Sequence, residues 1–342
     1  MKLLLKLFFL LLILAIAGVF GAVRYLESWA QSPLALKEPV VLTVQKGASF
    51  YAVARQLETM ALIEDARLLR WYLRIKRENR LLQVGEYQLQ PGITLQQLLD
   101  KFQRGDVIQY SVTLVNGNTF NEFVATLQAH PQLAHELKDQ NPKQILEGLG
   151  SPYTHPEGLF YPDTYFFQNG DSDRDILKRA YDRMQTLLAK AWDQREENLP
   201  YQSAYEALIM ASIVEKETAV SSERALIAGV FVNRLNKKMR LQTDPTVIYG
   251  LGDQYKGNIT RAHLKAYTPY NTYRINGLPP TPIANPALPA IEAALHPEKT
   301  NALYFVAKGD GSHYFSETLA QHQKAVRQYQ WKRRSDYRST PK

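Results

Sequence analysis

The chain has 342 residues, 45% of them hydrophobic, with 41 Lys and Arg against 33 Asp and Glu for a formal net charge of +8. It contains no cysteine and seven scattered histidines, which excludes disulfides and thiolate metal sites; without HExxH or another close histidine pairing, no metal or other cofactor is expected. Residues 1–27 contribute +2 and residues 332–342 contribute +4, so the body lacks the basic face that nucleic-acid binding needs.

The first predicted element is a membrane helix. Leu7 to Val23 carries no charge over 17 positions, which span about 25 Å; adding Leu3 to Lys6 brings the helix to about 31 Å, enough for a hydrocarbon core of about 30 Å. Lys2 and Lys6 precede the run while Arg24 and Glu27 follow it, a bias that favours a cytoplasmic N-terminus and an exported body. Ala15-Ile16-Ala17 offers the small-x-small pattern of a cleavable signal, but the run is longer than the usual signal core of about 7–15 residues. Residues 1–27 are therefore read as a cytoplasmic end and a retained anchor.

Three segments between residues 40 and 130 share one pattern: Gly47, Gly92 or Gly117, then a hydroxyl two residues later at Ser49, Thr94 or Thr119. The hydroxyl suits a helix N-cap. An apolar stripe follows in each: Phe50, Val53, Ala54, Leu57; Leu95, Leu98, Leu99, Phe102; Phe120, Phe123, Val124, Leu127. Val41 to Val44, Val84 to Leu89 and Gln109 to Val115 read as the preceding strands. Over its strand, turn and helix the first copy resembles a LysM module, which implies binding to N-acetylglucosamine-containing glycans; small α+β units that only space or pack the rest are the alternative. Tyr51 and Tyr87 suit either sugar stacking or ordinary packing. Unequal separations between the copies argue against a solenoid.

Residues 131–153, with Asn141-Pro142, Gly148 and Gly150, read as a linker to a C-terminal part at 154–331. There Ile176 to Trp192, Ala204 to Glu217 and Arg224 to Asn236 read as helices. Asp244-Pro245 and Asn285-Pro286 read as N-caps with proline at the first helical position, the second ahead of Ala287 to Leu295. Leu303 to Ala307 and His313 to Ser316 read as a strand pair, followed by a helix from Glu317 to about Trp331 and the basic tail 332–342. The fold class expected is α+β: a transmembrane helix, LysM-like α+β units, then a mainly helical catalytic domain with a small sheet.

The run ALIMASIVEKET, Ala207 to Thr218, ends an almost wholly apolar segment on a carboxylate. Met210, Ile213 and Val214 lie seven, four and three residues before Glu217, so its side chain continues an apolar row. Desolvation there raises a carboxyl pKa toward the range of a general acid. Glu215 faces another way. An exposed or salt-bridged glutamate, paired with Lys216 or Arg224, is the competing reading.

ASIVEKET, FVNRL (Phe231 to Leu235), LQTDPTVIYG (Leu241 to Gly250), YNTY (Tyr270 to Tyr273) and GLPPTPIANP (Gly277 to Pro286) resemble, in order and spacing, the endolytic murein transglycosylases of the YceG-like family. EGLFYPDTY (Glu157 to Tyr165) and LYFVAKGDGSHYFS (Leu303 to Ser316) extend the likeness over roughly the last half of the chain. The resemblance implies a bacterial inner-membrane enzyme with a periplasmic catalytic domain that cuts peptidoglycan glycan strands internally, with Glu217 as catalyst. It also implies 1,6-anhydromuramyl ends, a role in terminating strands, and penicillin-binding polymerases as partners. Gln242, Thr243, Asp244, Tyr249, Tyr270, Asn271, Tyr273 and Asn285 are the matched candidates for substrate contact, each of which also suits a purely structural role. A hydrolase with Asp244 or Glu223 as second carboxylate, or an inactive glycan-binding scaffold, are the alternatives.

Overall fold

An unbroken helix, α1 (Lys2–Gln31), opens the computed structural model, which describes residues 2–76 and 81–331; the basic tail lies outside the described residues. From Leu3 to Phe20 its side chains are exposed, whereas Leu26 and Ala30 are buried. It is long and apolar enough to cross a membrane. Its last turns thus belong to a protein core.

The contacts divide the chain into two units, the first running to Tyr110 and including Phe166–Gly170. In it β1 (Val40–Val44) pairs antiparallel with β2 (Gly85–Leu89), Val40 opposite Leu89 and Val44 opposite Gly85. Between these strands lie α2 (Phe50–Thr59) and α3 (Ala66–Lys76), and α4 (Leu95–Arg104) follows β2. Ser49 and Thr94 cap α2 and α4 as expected, Thr94 within a reciprocal capping box with Gln97, and Gly47 and Gly92 take the left-handed conformation before them. The predicted stripes of α2 and α4 bury Val53, Ala54, Leu57, Leu95, Leu98, Leu99 and Phe102 together with Leu26, Ala30 and Leu42. Tyr87 is fully buried, its ring edge-on to Phe102 at 4.7 Å, and is core; Tyr51 stays exposed. The helix α3 lies between the first two repeats, where the repeat pattern predicts nothing.

The chain passes to the second unit through β3 (Tyr110–Thr113) and returns through β4 (Thr164–Phe167), strands that pair with each other. The third repeat therefore contributes its helix α5 (Phe120–Gln128), capped by Thr119 with Glu122, to the second unit. The expected linker contains a helix, α6 (Pro142–Gly148), capped by Asn141; an Asn-Pro pair starts a helix as readily as it breaks one. Then come α7 (Asp173–Asp193), α8 (Ala204–Glu217), α9 (Arg224–Asn236), α10 (Asp244–Leu251), α11 (Arg261–Lys265) and α12 (Leu288–Leu295). A hairpin of β5 (Tyr304–Ala307) and β6 (His313–Ser316) and a helix, α13 (Leu319–Val326), continuing as a π-helical turn to Trp331, end the described chain.

All residues of α8 from Ala207 to Val214 are buried. A helix apolar all round must be enclosed, and α7, α9, α10 and α12 pack against it. Two expected caps differ. Asp244 is the first residue of α10, behind Thr243 as N-cap, and Asn285 precedes α12, whose N-cap is Ala287. The role expected of Asn285 falls to Glu215, whose Oε2 accepts the Ala287 amide at 2.9 Å, a carboxylate at the positive end of a helix.

Packing around α8 is tight where α9 meets the chain after α12: a Cβ added to Gly229 would lie 2.3 Å from the Glu298 carbonyl oxygen. Gly229→Ala is expected to lower stability by about 1–3 kcal/mol, measured as a lower urea midpoint, despite the better helix propensity of alanine.

Candidate active site

Because α8 is enclosed, its last residue, Glu217, carries a carboxyl group to the edge of the core. Glu217 keeps partial exposure while protein packs densely around the carboxyl. Burial pushes its pKa up to about 7 against a bond from Thr243 that favours the anion; the charge of Asp244 raises it further and Arg234 pulls it back. Desolvation wins. The neutral acid is therefore well populated near neutral pH.

Thr243 is buried and donates its hydroxyl to Glu217 Oε1. Its own placement is determined by a cluster of hydroxyls: its amide donates to Thr272 Oγ1 at 3.0 Å, its carbonyl accepts Thr246 Oγ1 at 2.7 Å, and the Thr246 and Thr272 hydroxyls meet at 2.8 Å. Gln242, before it, sits at φ +55, a left-handed conformation costly for a side chain with Cβ. Arg234 of α9 holds that turn: Nη1 donates to the carbonyls of Arg240 and Leu241 at 3.1 and 2.9 Å and to Gln242 Oε1 at 3.3 Å, while Nε donates to the Leu303 carbonyl at 2.6 Å. The guanidinium lies 5.0 Å from the Tyr304 ring centroid. Asp244 is exposed, and its Oδ1 accepts the Tyr273 hydroxyl at 2.7 Å.

A second cluster centres on Glu157, in the loop before β4. Its Oε1 accepts the Phe120 amide at 2.8 Å, at the start of α5, and Oε2 accepts the Tyr249 hydroxyl at 3.1 Å. Asn285 Nδ2 reaches Oε1 at 3.4 Å and the Asn118 carbonyl at 3.0 Å, and its Oδ1 accepts the Phe160 amide. Tyr249 stands edge-on to Tyr270 with centroids 4.9 Å apart, and Tyr270 shares a hydroxyl bond with Thr281. Burial pushes the Glu157 pKa up to about 7 as well, opposed by the Phe120 and Tyr249 bonds. Only 4% of Glu157 is exposed, however, so it has neutral-acid character without access.

Of the matched candidates, Thr243 bonds Glu217, with Asp244 and Tyr273 near it and Gln242 in the turn held by Arg234; Tyr249 and Asn285 bond Glu157, and Tyr270 packs on Tyr249. Asn271 is buried with its amide spent on the carbonyls of His263, Leu264 and Ala266, and its Oδ1 accepts the Tyr273 amide. Glu223, weighed as a second carboxylate, accepts both the amide and a ring nitrogen of His313. Sequence reasoning missed Glu157, Arg234 and Thr272. Glu157 and Arg234 stood inside quoted motifs, but a lone glutamate between Pro156 and Gly158 and an arginine at a helix end show no periodicity that would single them out.

A partly accessible carboxylic acid with a raised pKa, at the end of an enclosed helix and held by a threonine hydroxyl, has the chemical properties that a general acid needs. The YceG-like family model matches residues 42–328. Over 311 residues the chain is 32% identical to an endolytic murein transglycosylase of Bacillus subtilis, covering 86% of this chain and 85% of that protein. It is 28% identical to that of Streptococcus pneumoniae strain D39, covering 93% of this chain and 63% of that protein. The crystal structure of a YceG-like protein from Listeria monocytogenes has 33% identity and a TM-score of 0.54 over 84% of this chain and 99% of that one. The chain belongs to the YceG-like family of endolytic murein transglycosylases.

The two raised carboxyls have a consequence for stability. Their folded pKa values, about 7, exceed the ordinary 4.5, so the folded state binds more protons than the unfolded one between those limits. Stability therefore falls as pH rises through that window, by about 3 kcal/mol for each group. In urea titrations at pH 5 and pH 8, Glu157→Gln is expected to shrink that fall by roughly half.

Proposed function

We propose that this protein is a single-pass enzyme of the bacterial cytoplasmic membrane, its N-terminus cytoplasmic and its catalytic part periplasmic, that cuts the β-1,4 bond between N-acetylmuramic acid and N-acetylglucosamine within nascent peptidoglycan strands. The observation that carries the catalytic reading is the raised pKa of Glu217 beside the Thr243 hydroxyl, in a chain of this family. In this reading Glu217 gives its proton to the glycosidic oxygen as the C1–O bond breaks, through an oxocarbenium-like transition state. The C6 hydroxyl oxygen of the same muramic acid then bonds to C1, and its proton returns to the Glu217 carboxylate. A 1,6-anhydro end results, no water is consumed, and the acid is regenerated. One carboxyl suffices because its two tasks are successive.

Thr243 orients the acid, and Asp244 sustains its pKa. Gln242, Asp244 and the rings of Tyr249, Tyr270 and Tyr273 are the groups offered to the glycan. Asn271 and Asn285, whose amides are already committed, act by holding Tyr273 and the Glu157 cluster. The first unit, with its exposed Tyr51, is the candidate for additional glycan contact. Cutting close to the membrane suits strand termination beside the penicillin-binding polymerases that extend those strands.

The test uses full-length protein in detergent with uncrosslinked glycan strands and mass spectrometry of the products. Internal fragments with 1,6-anhydro ends, absent with Glu217→Gln, are expected; reducing ends would mean that water attacks instead, and turnover by the variant would remove Glu217 from the mechanism.

The pH profile offers a second check. Activity is expected to fall as pH rises above about 7, where Glu217 loses its proton. Removing the neighbouring negative charge lowers that pKa, so Asp244→Asn is expected to move the falling limb of the rate profile to lower pH.

A further inference from the structure

Among the described residues, one face of α3 is left largely uncovered and lies beside the end of the apolar helix. Leu68, Trp71 and Ile75 follow one another at helical spacing and, with Ala22, Tyr25 and Leu26 of α1, line an apolar cavity of about 280 Å³. Trp71 is 55% exposed, Tyr25 59% and Ile75 41%. The opposite face of α3 buries Ala66, Leu69 and Tyr72 in the first unit, so these exposed side chains are not a frayed end. Lys76 Nζ donates to Glu27 Oε1 at 2.8 Å, which ties the end of α3 to α1. Next to the apolar stripe runs a basic one: Arg70 and Arg74 are exposed and have no ion-pair partner among the described residues.

The height of this face along α1 indicates its partner. The uncharged run ends at Val23, and Leu26 lies three residues further, about 4.5 Å along the helix axis. The headgroup layer on each side of a bilayer is roughly 5–8 Å thick. Side chains packed against residues 22–26 therefore fall within that layer if α1 spans. Tryptophan, tyrosine and arginine around an isoleucine are the side chains that this layer accommodates, apolar bodies inward and charges on the headgroups.

We propose that α3 lies on the membrane surface, immersing Trp71 and Ile75 at the lipid interface and setting Arg70 and Arg74 on anionic headgroups. The first unit is then held against the bilayer at two places, α1 and α3. This inference rests on the reading of α1 as a retained anchor, and the test separates the two.

The absence of cysteine lets single cysteines carry a nitroxide at Val19, Ile75 or Arg55 of the full-length protein, reconstituted in phosphatidylglycerol–phosphatidylethanolamine vesicles. Collision with oxygen reports lipid, and collision with a water-soluble nickel chelate reports water. Labels at Val19 and Ile75 are expected in lipid and the label at Arg55 in water. In an Arg70→Glu/Arg74→Glu background, the lipid-to-water ratio at Ile75 is expected to fall by roughly fivefold per residue. Lipid at Val19 with water at Ile75 overturns the α3 proposal and leaves the anchor standing. Water at Val19 overturns both. Shielding of Ile75 from both reagents means that a protein, such as a second copy, covers the face, and overturns the proposal too. A ratio unchanged by the charge reversals removes the headgroup contact.

Discussion

The hydrogen bond from Thr243 to Glu217 joins the last residue of an enclosed helix to the N-cap of α10, and the packing of α8 surrounds that bond with protein. A carboxylate there lacks the hydration that would favour its charge, and one hydroxyl does not replace it. The acid consequently holds its proton to about neutrality. Arg234 could have defeated this by pairing with it. Instead the guanidinium spends its donors on four oxygens, three of them backbone carbonyls, and on the face of Tyr304. Its positive charge is thereby turned into a strut for the turn at Gln242.

Two glutamates in this unit are lifted to about the same pKa, and the difference between them is access. Glu157 is sealed, and its oxygens are committed to the start of α5, to Tyr249 and to Asn285. It works as a polar rivet among loop, helix and tyrosine pair. Among the described residues Glu217 has one side-chain hydrogen bond, from Thr243, and it keeps partial exposure to solvent. Of the two carboxyls, Glu217 is the more open to solvent.

What could be read from the residues was local. The glycine-then-hydroxyl pattern located the caps of α2, α4 and α5 because a left-handed turn and an N-cap are each made within a few residues. The apolar run before Glu217 marked an enclosed helix for the same reason. Asp244 and Asn285 were misread as caps because proline after an Asx residue signals a cap only when nothing distant competes for the side chain. Here Tyr273 takes Asp244, and Phe160 and Asn118 take Asn285. Glu157 was invisible as an acid because its pKa depends on α5, α10 and the loop before α12, which meet it only in three dimensions. The helix α3 escaped because it lies outside the glycine-then-hydroxyl pattern: no glycine turn precedes it, and the side chain at its start is Asp65, whose Oδ1 accepts the Arg67 amide at 2.8 Å.

In α1 the apolar run and the packed end are one piece of secondary structure, without a loop between them. Leu26 and Ala30 are as much part of the first unit as Leu42 or Phe102. The folded unit thus begins inside the helix and not after it, which makes the N-terminal segment a structural member as well as an address. A cut at Ala17 would leave that member in place, whereas a cut at Gln31 would remove buried side chains from the core, and losing a single buried leucine already costs about 2–5 kcal/mol.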